Sequence, residues 1–286
     1  MRIIEQITAL PWAILPDKLV EIRAAMAGVA PEEQARTGAP VQFSGGKAVA
    51  VLPIYGPIVP RGGFMASFFG AVGVDHIRNK FRAAMDDPDI AHIILDIDSP
   101  GGQVGGVKEL AAEIYRARGV KPVTAVANGL AASAAYWIGS AAETFVATPS
   151  GDIGSIGVFA VHQDICQALE QDGVKVTLIS AGKYKTEGNP FEPLQEEALE
   201  AAQKRVDEFY NMFTSDVAKG RNVSQDDVMA GFGQGRLVGA EEALQAGMID
   251  QIATIDEVLN GLTAKTGGMR ADDTDYRMRR LRAISR

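Results

Sequence analysis

A single cysteine, Cys166, occurs in 286 residues. No intrachain disulfide can form and no CxxC zinc or redox site exists, which fits a reducing compartment. Histidine is nearly as scarce, with only His76, His92 and His162 available. His92 opens an apolar strand pattern and His76 sits on an amphipathic helical pattern. His162 precedes Cys166 by four residues on another helical pattern, whereas a Cys-His peptidase draws its partners from separate elements. The GxSxG, HExxH and P-loop signatures are missing, so α/β-hydrolase, zincin and P-loop nucleotide chemistry lack support. Positive charge is in deficit: 28 Lys and Arg against 36 Asp and Glu give a net charge of -8. That balance opposes non-specific binding to nucleic acid or an anionic membrane. Long apolar runs are missing too, since Phe64 to Val74 and Gly129 to Ala142 fall short of the ~18 to 20 residues that span a bilayer. The N-terminal MRIIEQITALPWAILPDKLV is interrupted by Glu5, Pro11, Pro16 and Asp17. We therefore expect no signal peptide and no membrane anchor.

What remains is a globular composition, 47% hydrophobic and 22% charged, long enough for one large α/β domain with extensions. Residues 1–45 read as an N-terminal arm, with a helical pattern from Asp17 to Met26 and a Pro/Gly-bearing linker after it. Residues 46–262 form the domain, and 263–286 a flexible tail carrying five arginines in its last ten residues. Within the domain the runs VAVLPIY, HIILDID, PVTAVAN, TFVAT, GVFAV and VKVTLIS read as strands. Helical patterns lie between them at Val74 to Asp86, Val104 to Ala117 and Ala132 to Ala142. This alternation predicts βαβ units and parallel pairing. Leu194, Ala198, Ala202, Val206, Phe209, Phe213 and Val217 recur every three or four residues, predicting a long helix with one apolar stripe that ends near Gly220.

Three segments carry chemistry. GLAASAAYWIGSAA, Gly129 to Ala142, follows the strand PVTAVAN and places Ser133 at the start of a helix. An exposed hydroxyl on such a turn lies where backbone N–H groups and the helix dipole face negative charge developing on a substrate carbonyl. DIDSPGGQVGG, Asp96 to Gly106, puts Gly101 and Gly102 where a buried strand ends, leaving N–H groups unshielded for an oxyanion hole. SAGKYKTEGNPF, Ser180 to Phe191, is a Gly-bearing loop holding Lys183 and Lys185. Their spacing in an extended segment sends them to opposite sides, so at most one enters a site. The residue pattern leaves that choice open.

Taken in order, these segments resemble one family. GLAASAAYWIGSAAETFVATPSGDIGSIGV closely resembles the active-site segment of the signal peptide peptidase A family of Ser-Lys peptidases. DSPGG is similar to its oxyanion segment, GKYKTEGNPF to its lysine loop, and RLVGAEEALQAGMID, Arg236 to Asp250, to its closing segment. The resemblance implies a ClpP/crotonase-like α/β spiral of repeated ββα units. It implies Ser133 as nucleophile, Lys185 as general base, Ser155 as the residue orienting that lysine, and Gly101, Gly102 and the Ala134 N–H forming or flanking the oxyanion hole. Ala134 and Ala135 stand where glycines often follow the serine. The PWAILPDKL arm resembles that of the phage and prophage head-maturation proteases of this family.

The implied activity is endopeptidase cleavage without metal or other cofactor, in host cytoplasm or inside a procapsid. The implied substrates are polypeptides such as scaffold or capsid proteins, and the implied assembly is a ring-like or dome-like homo-oligomer. A signal-peptide or general degradative role is the alternative within the family. A crotonase-type acyl-CoA enzyme would reuse the fold, but its chemistry asks for a carboxylate and the surroundings of Ser133 are small and neutral. A non-catalytic assembly protein would not need both Ser133 and Lys185.

Overall fold

A computed structural model describes residues 11–16, 42–44, 47–63 and 70–264. The expected helix at Asp17 to Met26, the linker and the Arg-rich segment lie outside the described residues. The chain begins with β1 (Trp12–Ile14), β2 (Gln42–Ser44), β3 (Lys47–Tyr55), β4 (Ile58–Val59) and β5 (Val72–Gly73). There follow α1 (Val74–Asp86), β6 (Ile90–Ser99), β7 (Gly101–Gln103), α2 (Val107–Ala117), β8 (Val123–Ala132), α3 (Ala134–Ser140), β9 (Thr144–Ala147) and β10 (Asp152–Gly154). After the short α4 (Cys166–Gln171) comes the 26-residue α5 (Glu196–Arg221). The remaining elements are α6 (Gln225–Gly231), β11 (Leu237–Gly239), α7 (Ala240–Gln245), β12 (Gln251–Ile252) and α8 (Ile255–Ala264).

The architecture is mixed α/β around a parallel centre of β3, β6 and β8, with pairs such as Leu52 with Leu95 and Leu95 with Ala125. Side-chain alternation divides these strands between two layers. Ala50, Leu52, Ile54, Ile93, Leu95 and Ile97 face the main core, where α1 contributes Ile77 and Phe81 and α2 contributes Leu110 and Ile114. Val49, Val51, Ile94, Val126 and Val146 face a second cluster with Ala253 and Leu259. Burial on both faces explains why HIILDI reads as a continuous apolar run.

β8 serves two neighbours in succession. Its first half, Thr124 to Ala127, pairs in parallel with β9, and its last three residues, Leu130 to Ala132, pair in parallel with β10. Gly129 lies between the two pairings at φ 112. A smaller sheet, ordered β1-β7-β4-β5, is built around the two glycines of β7.

Helix α3 is buried along its whole length. Trp137 stacks on Phe213 of α5 with ring centroids 4.7 Å apart and donates its indole N–H to Asp216 at 3.0 Å. The Arg118 guanidinium donates to the carbonyls of Ser140, Ala141 and Ala142, which α3 leaves unsatisfied, and to Gly220 at the end of α5. Truncating a buried tryptophan of this kind costs about 3–5 kcal/mol.

Two expected strands do not form. GVFAV contributes only a bridge between Phe159 and Trp12, and Val174 to Ser180 runs as exposed irregular backbone. Their composition carries strand propensity, but propensity becomes a strand only where an edge accepts the backbone N–H and C=O groups. Among the described residues no strand pairs with Val174 to Ser180. The long helix forms as expected, and its apolar stripe is buried at Ala198 near its start and at Phe213 and Val217 toward its end, while Ala202, Val206 and Phe209 between them are only partly covered.

The C-terminal end of α5 is tied by Arg221, which meets the Asp250 carboxylate at 2.6 and 2.9 Å. Burial works against the Asp250 carboxylate, but the Arg221 hydrogen bonds and the Phe145 N–H outweigh it and hold the pKa below the ordinary value. A carboxylate with a depressed folded pKa stabilises the fold above its unfolded value of about 3.9, and that contribution is lost as pH falls through the folded value. The Asp250 side chain is 41% exposed, so solvent screening limits the pair to about 1 kcal/mol. Asp250→Asn should therefore lower the melting temperature at pH 7 by about 2–4 °C. The difference between the two melting temperatures should begin to shrink only below about pH 4 and vanish once the pH passes below the depressed folded value.

Candidate active site

Ser133 is the residue between β8 and α3, and its backbone is strained, at φ 54 and ψ -118. An L-residue reaches this region only where its surroundings fix it, and such sites concentrate at functional positions. Here the Ser133 N–H donates to Gly154 at 2.7 Å and its carbonyl accepts from Trp137 at 2.9 Å. Its hydroxyl donates to the Gly157 carbonyl at 3.4 Å. Gly157 contributes only a backbone carbonyl, for which a sequence carries no residue-type signal.

Ser155 stands beside Ser133. Ala132 and Gly154 are register partners in parallel strands, so the serines one residue beyond them continue side by side at the ~4.8 Å spacing of paired strands. Ser155 also has a positive φ, 52, and is held by its N–H to the Arg236 carbonyl at 2.7 Å. Both β8 and β10 are thus followed directly by a serine with a positive φ.

The two glycines complete this corner. Gly101 has φ 93, and a Cβ there would lie 2.9 Å from the Ser133 Cβ. A Cβ on Gly102 would fall 1.8 Å from the Ile58 carbonyl oxygen. Side chains are thereby excluded at both positions. The Gly101 N–H donates to the Ser99 hydroxyl at 3.2 Å, and that hydroxyl donates to the Gly56 carbonyl at 2.7 Å. This leaves the Gly102 N–H, which faces Ala13 of β1 across the β1–β7 pairing, and the Ala134 N–H as the remaining backbone donors of this corner, with Gly101 shaping the wall. Ala134 is the first residue of α3, where an N–H has no acceptor inside the helix. Ala134 and Ala135 are both buried.

The sequence predicts an exposed Ser133, whereas the residue is only 1% exposed. The cover comes from β1, which pairs with β7 immediately beside it. Ser133, Ser155, Gly101, Gly102 and Ala134 are therefore gathered at one point. Lys185 is not among them. It is exposed, in a turn where its N–H donates to Gly182. Neighbouring Lys183 donates to Tyr184 at 2.7 Å and to Glu197, at the start of α5, at 3.0 Å. Trp137, one turn beyond Ser133, packs on Phe213 near the other end of α5. Sixteen residues of helix separate Glu197 from Phe213, about 24 Å at 1.5 Å per residue. The hydrogen bonds to Tyr184 and Glu197 raise the Lys183 pKa and favour its charged form, the opposite of what a general base requires.

The histidines engage other groups. His92 bonds Thr124 and His162 bonds the Asn189 carbonyl, while His76 is exposed on α1. The His162–Cys166 pair does not share a helix, because α4 begins only at Cys166. Among the described residues no group of three or more His, Cys, Asp or Glu side chains is placed to hold a metal ion, and no helix is long and apolar enough to cross a membrane.

Comparison with known proteins fits this corner of the fold. The model of peptidase family S49 matches residues 116–267, a span containing Ser133, Ser155 and Lys185. The chain is 37% identical over 212 residues to the head-tail preconnector protein GP5 of Enterobacteria phage P21, covering 74% of this chain and 42% of that protein. It is 34% identical over 211 residues to the capsid assembly protease C of Escherichia phage lambda, covering 74% and 48%. It is 26% identical over 219 residues to the putative signal peptide peptidase SppA of Enterococcus faecium, covering 76% and 63%. The chain spans about half the length of the two phage proteins. With more than half of its residues matched by the family model and the strained serine inside the match, the chain belongs to peptidase family S49.

Proposed function

We propose that this chain is a serine endopeptidase of the Ser-Lys type acting in phage or prophage capsid maturation, on scaffold or capsid polypeptides. The observation that carries the reading is Ser133 itself, strained at φ 54 beside two backbone donors. The Ser133 hydroxyl attacks a peptide carbonyl while the N–H groups of Gly102 and Ala134 take up the developing negative charge. The proton passes to a neutral lysine amine, assigned to Lys185, with Ser155 orienting it. The amine leaving group departs with that proton, and water hydrolyses the acyl-enzyme. No cofactor enters these steps.

The same reading takes residues 46–262 as the peptidase domain, folded as a ClpP/crotonase-like spiral of ββα units between an arm and a tail. It places the protein in host cytoplasm or a procapsid. It also calls for a homo-oligomer. Lys185 lies in the largely exposed stretch 171–188, the projection, two residues after Lys183, whose partner Glu197 precedes Phe213 by about 24 Å of helix, and on this reading its amine meets the Ser133 of a neighbouring copy. The projection has surface to bury: Val174, Val176, Leu178 and Ile179 are exposed, as is Leu199 on α5. A neutral lysine near pH 7 needs burial in apolar surroundings, and contact with a second copy provides it.

Two outcomes test this reading. Ser133→Ala and Lys185→Met should each abolish peptide cleavage, and mixing the two purified variants should restore part of it, because one copy of each rebuilds a complete pair. Lys183→Met should stay active. If the mixture remains inactive although subunits exchange, the base does not come from a neighbour. Separately, Ser133→Gly should be inactive yet more stable by about 1 kcal/mol, since glycine relieves the positive-φ strain. Chemical denaturation measures that difference, and equal stabilities would show that the serine conformation carries no strain.

A further inference from the structure

Strand β1 lies across the catalytic corner, hydrogen-bonded along both edges. On one edge Trp12, Ala13 and Ile14 run antiparallel to Gln103, Gly102 and Gly101. The Leu15 N–H donates to Pro100 at 3.0 Å, and the Val104 N–H reaches the Pro11 carbonyl at 3.5 Å. On the other edge Trp12 exchanges both backbone bonds with Phe159, at 2.8 and 2.9 Å. A three-residue strand held on both sides is the geometry of an extended peptide bound by strand addition.

The register decides which residue meets Ser133. In an antiparallel ladder, hydrogen-bonded pairs recur at every second position. The bonds at Leu15 with Pro100 and at Pro11 with Val104 therefore place Ala13 and Gly102 in a hydrogen-bonded pair, turning the Ala13 carbonyl toward the Gly102 N–H. That N–H is one of the two donors assigned to the oxyanion. The Ala13 carbonyl oxygen lies 2.3 Å, and the Ser133 Cβ 2.9 Å, from the point a Cβ on Gly101 would occupy, so the two atoms can be no farther apart than the sum of those distances. The Ala13 side chain, fully buried, belongs to the main core with Ala131 and Ala134. Trp12 and Ile14 turn the other way and pack with Phe159 and Val161.

We propose that Pro11 to Leu15 is an intrachain substrate mimic, which fills the peptide channel of Ser133 with the Ala13 carbonyl at the position of a scissile carbonyl. The proposal rests on Ser133 being the nucleophile. It names the ligand class of the channel: an extended peptide with a small residue at the carbonyl facing Ser133 and large apolar residues on either side. It also explains the burial of Ser133. A substrate enters only by displacing this strand, so the arm acts as a competitive inhibitor in cis.

The test uses the full chain with Trp12→Asp and Ile14→Asp together, which sets charges into the cluster with Phe159 and Val161, and Trp12→Ala as a milder alternative. The probe is a fluorescein-labelled peptide of residues 9–16, and binding is read by fluorescence polarisation in a Ser133→Ala background. The arm-displaced protein should bind it at least tenfold more tightly than the protein with its natural arm, and replacing Ala13 of the peptide with Trp should remove binding. Unlabelled peptide should also raise the melting temperature of the arm-displaced variants, so a variant weakened by losing its strand still gives a reading. With Ser133 present, a fluorophosphonate should label the arm-displaced protein at least tenfold faster, and added peptide should slow it. Equal peptide affinity with and without displacement, or no binding to a folded displaced variant, overturns the proposal. Tight peptide binding with no fluorophosphonate labelling of Ser133 shows a displaceable strand in a peptide channel but overturns the nucleophile assignment, and with it the reading of the Ala13 carbonyl as a scissile one.

Discussion

The site depends on one rung of parallel sheet, Ala132 beside Gly154, and on the residue one step beyond it. Because the Gly154 carbonyl accepts the Ser133 N–H at 2.7 Å, the chain cannot relax into an ordinary helix start. Ser133 is left at positive φ, and α3 is launched immediately after it. The strain, on the order of 1–3 kcal/mol, is borne by the packing of α3. Trp137 against Phe213, its indole N–H on Asp216 and the four carbonyls gathered by Arg118 fix α3 at its middle and its C-terminal end. These contacts are worth several kcal/mol together, so the helix does not unwind to release one turn.

Much of this was legible in the sequence because it follows from local pattern. HIILDID and PVTAVAN read as buried strands, Val74–Asp86 matches its helix end to end, and the long helix begins two residues after Leu194. The glycines and the serine could be singled out because small residues at strand ends have few other uses. What could not be read depends on partners distant in sequence. Val174 to Ser180 has strand composition without an edge to join, and GVFAV becomes a single bridge because Trp12 is the residue that meets it. The choice between Lys183 and Lys185 was equally closed to local reading. Only the fold shows that Lys183 pairs with Glu197, more than ten residues downstream. PWAILP carries two prolines, which count against a signal peptide and also favour extended backbone around them. Its position against β7 could not be derived from that.

The body and the projection obey different constraints. In the body, polar groups find partners within the chain: the indole of Trp137 on Asp216, the phenol of Tyr136 on the Met248 carbonyl, the guanidinium of Arg221 on Asp250. On the projection, apolar groups meet water instead, with Ile179 96% exposed and Leu178 43%. An exposed segment of strand-forming composition invites pairing with another chain, and monomeric proteins blunt such segments with charge, proline or cover. Lys175 and Lys183 supply charge here, but the alternation Val174, Val176, Leu178 remains available.

On the proposed reading, these two regions are halves of one device. The assigned nucleophile is fixed in the buried body and covered by the chain's own β1, while the assigned base lies in the exposed stretch that carries Val174, Val176, Leu178 and Ile179. Each half is inert alone. A serine without a general base beside it is a poor nucleophile, and a base with no serine beside it has nothing to activate. Burying apolar surface between copies contributes about 25 cal/mol per Å², and the same event carries an amine out of water and toward a serine. Assembly and activation then draw on one source of free energy, so activity rises with local concentration. β1 adds a second requirement. A peptide must match its two-sided backbone pairing to replace it, so a slack or bulky segment passing the site is excluded before any bond is at risk.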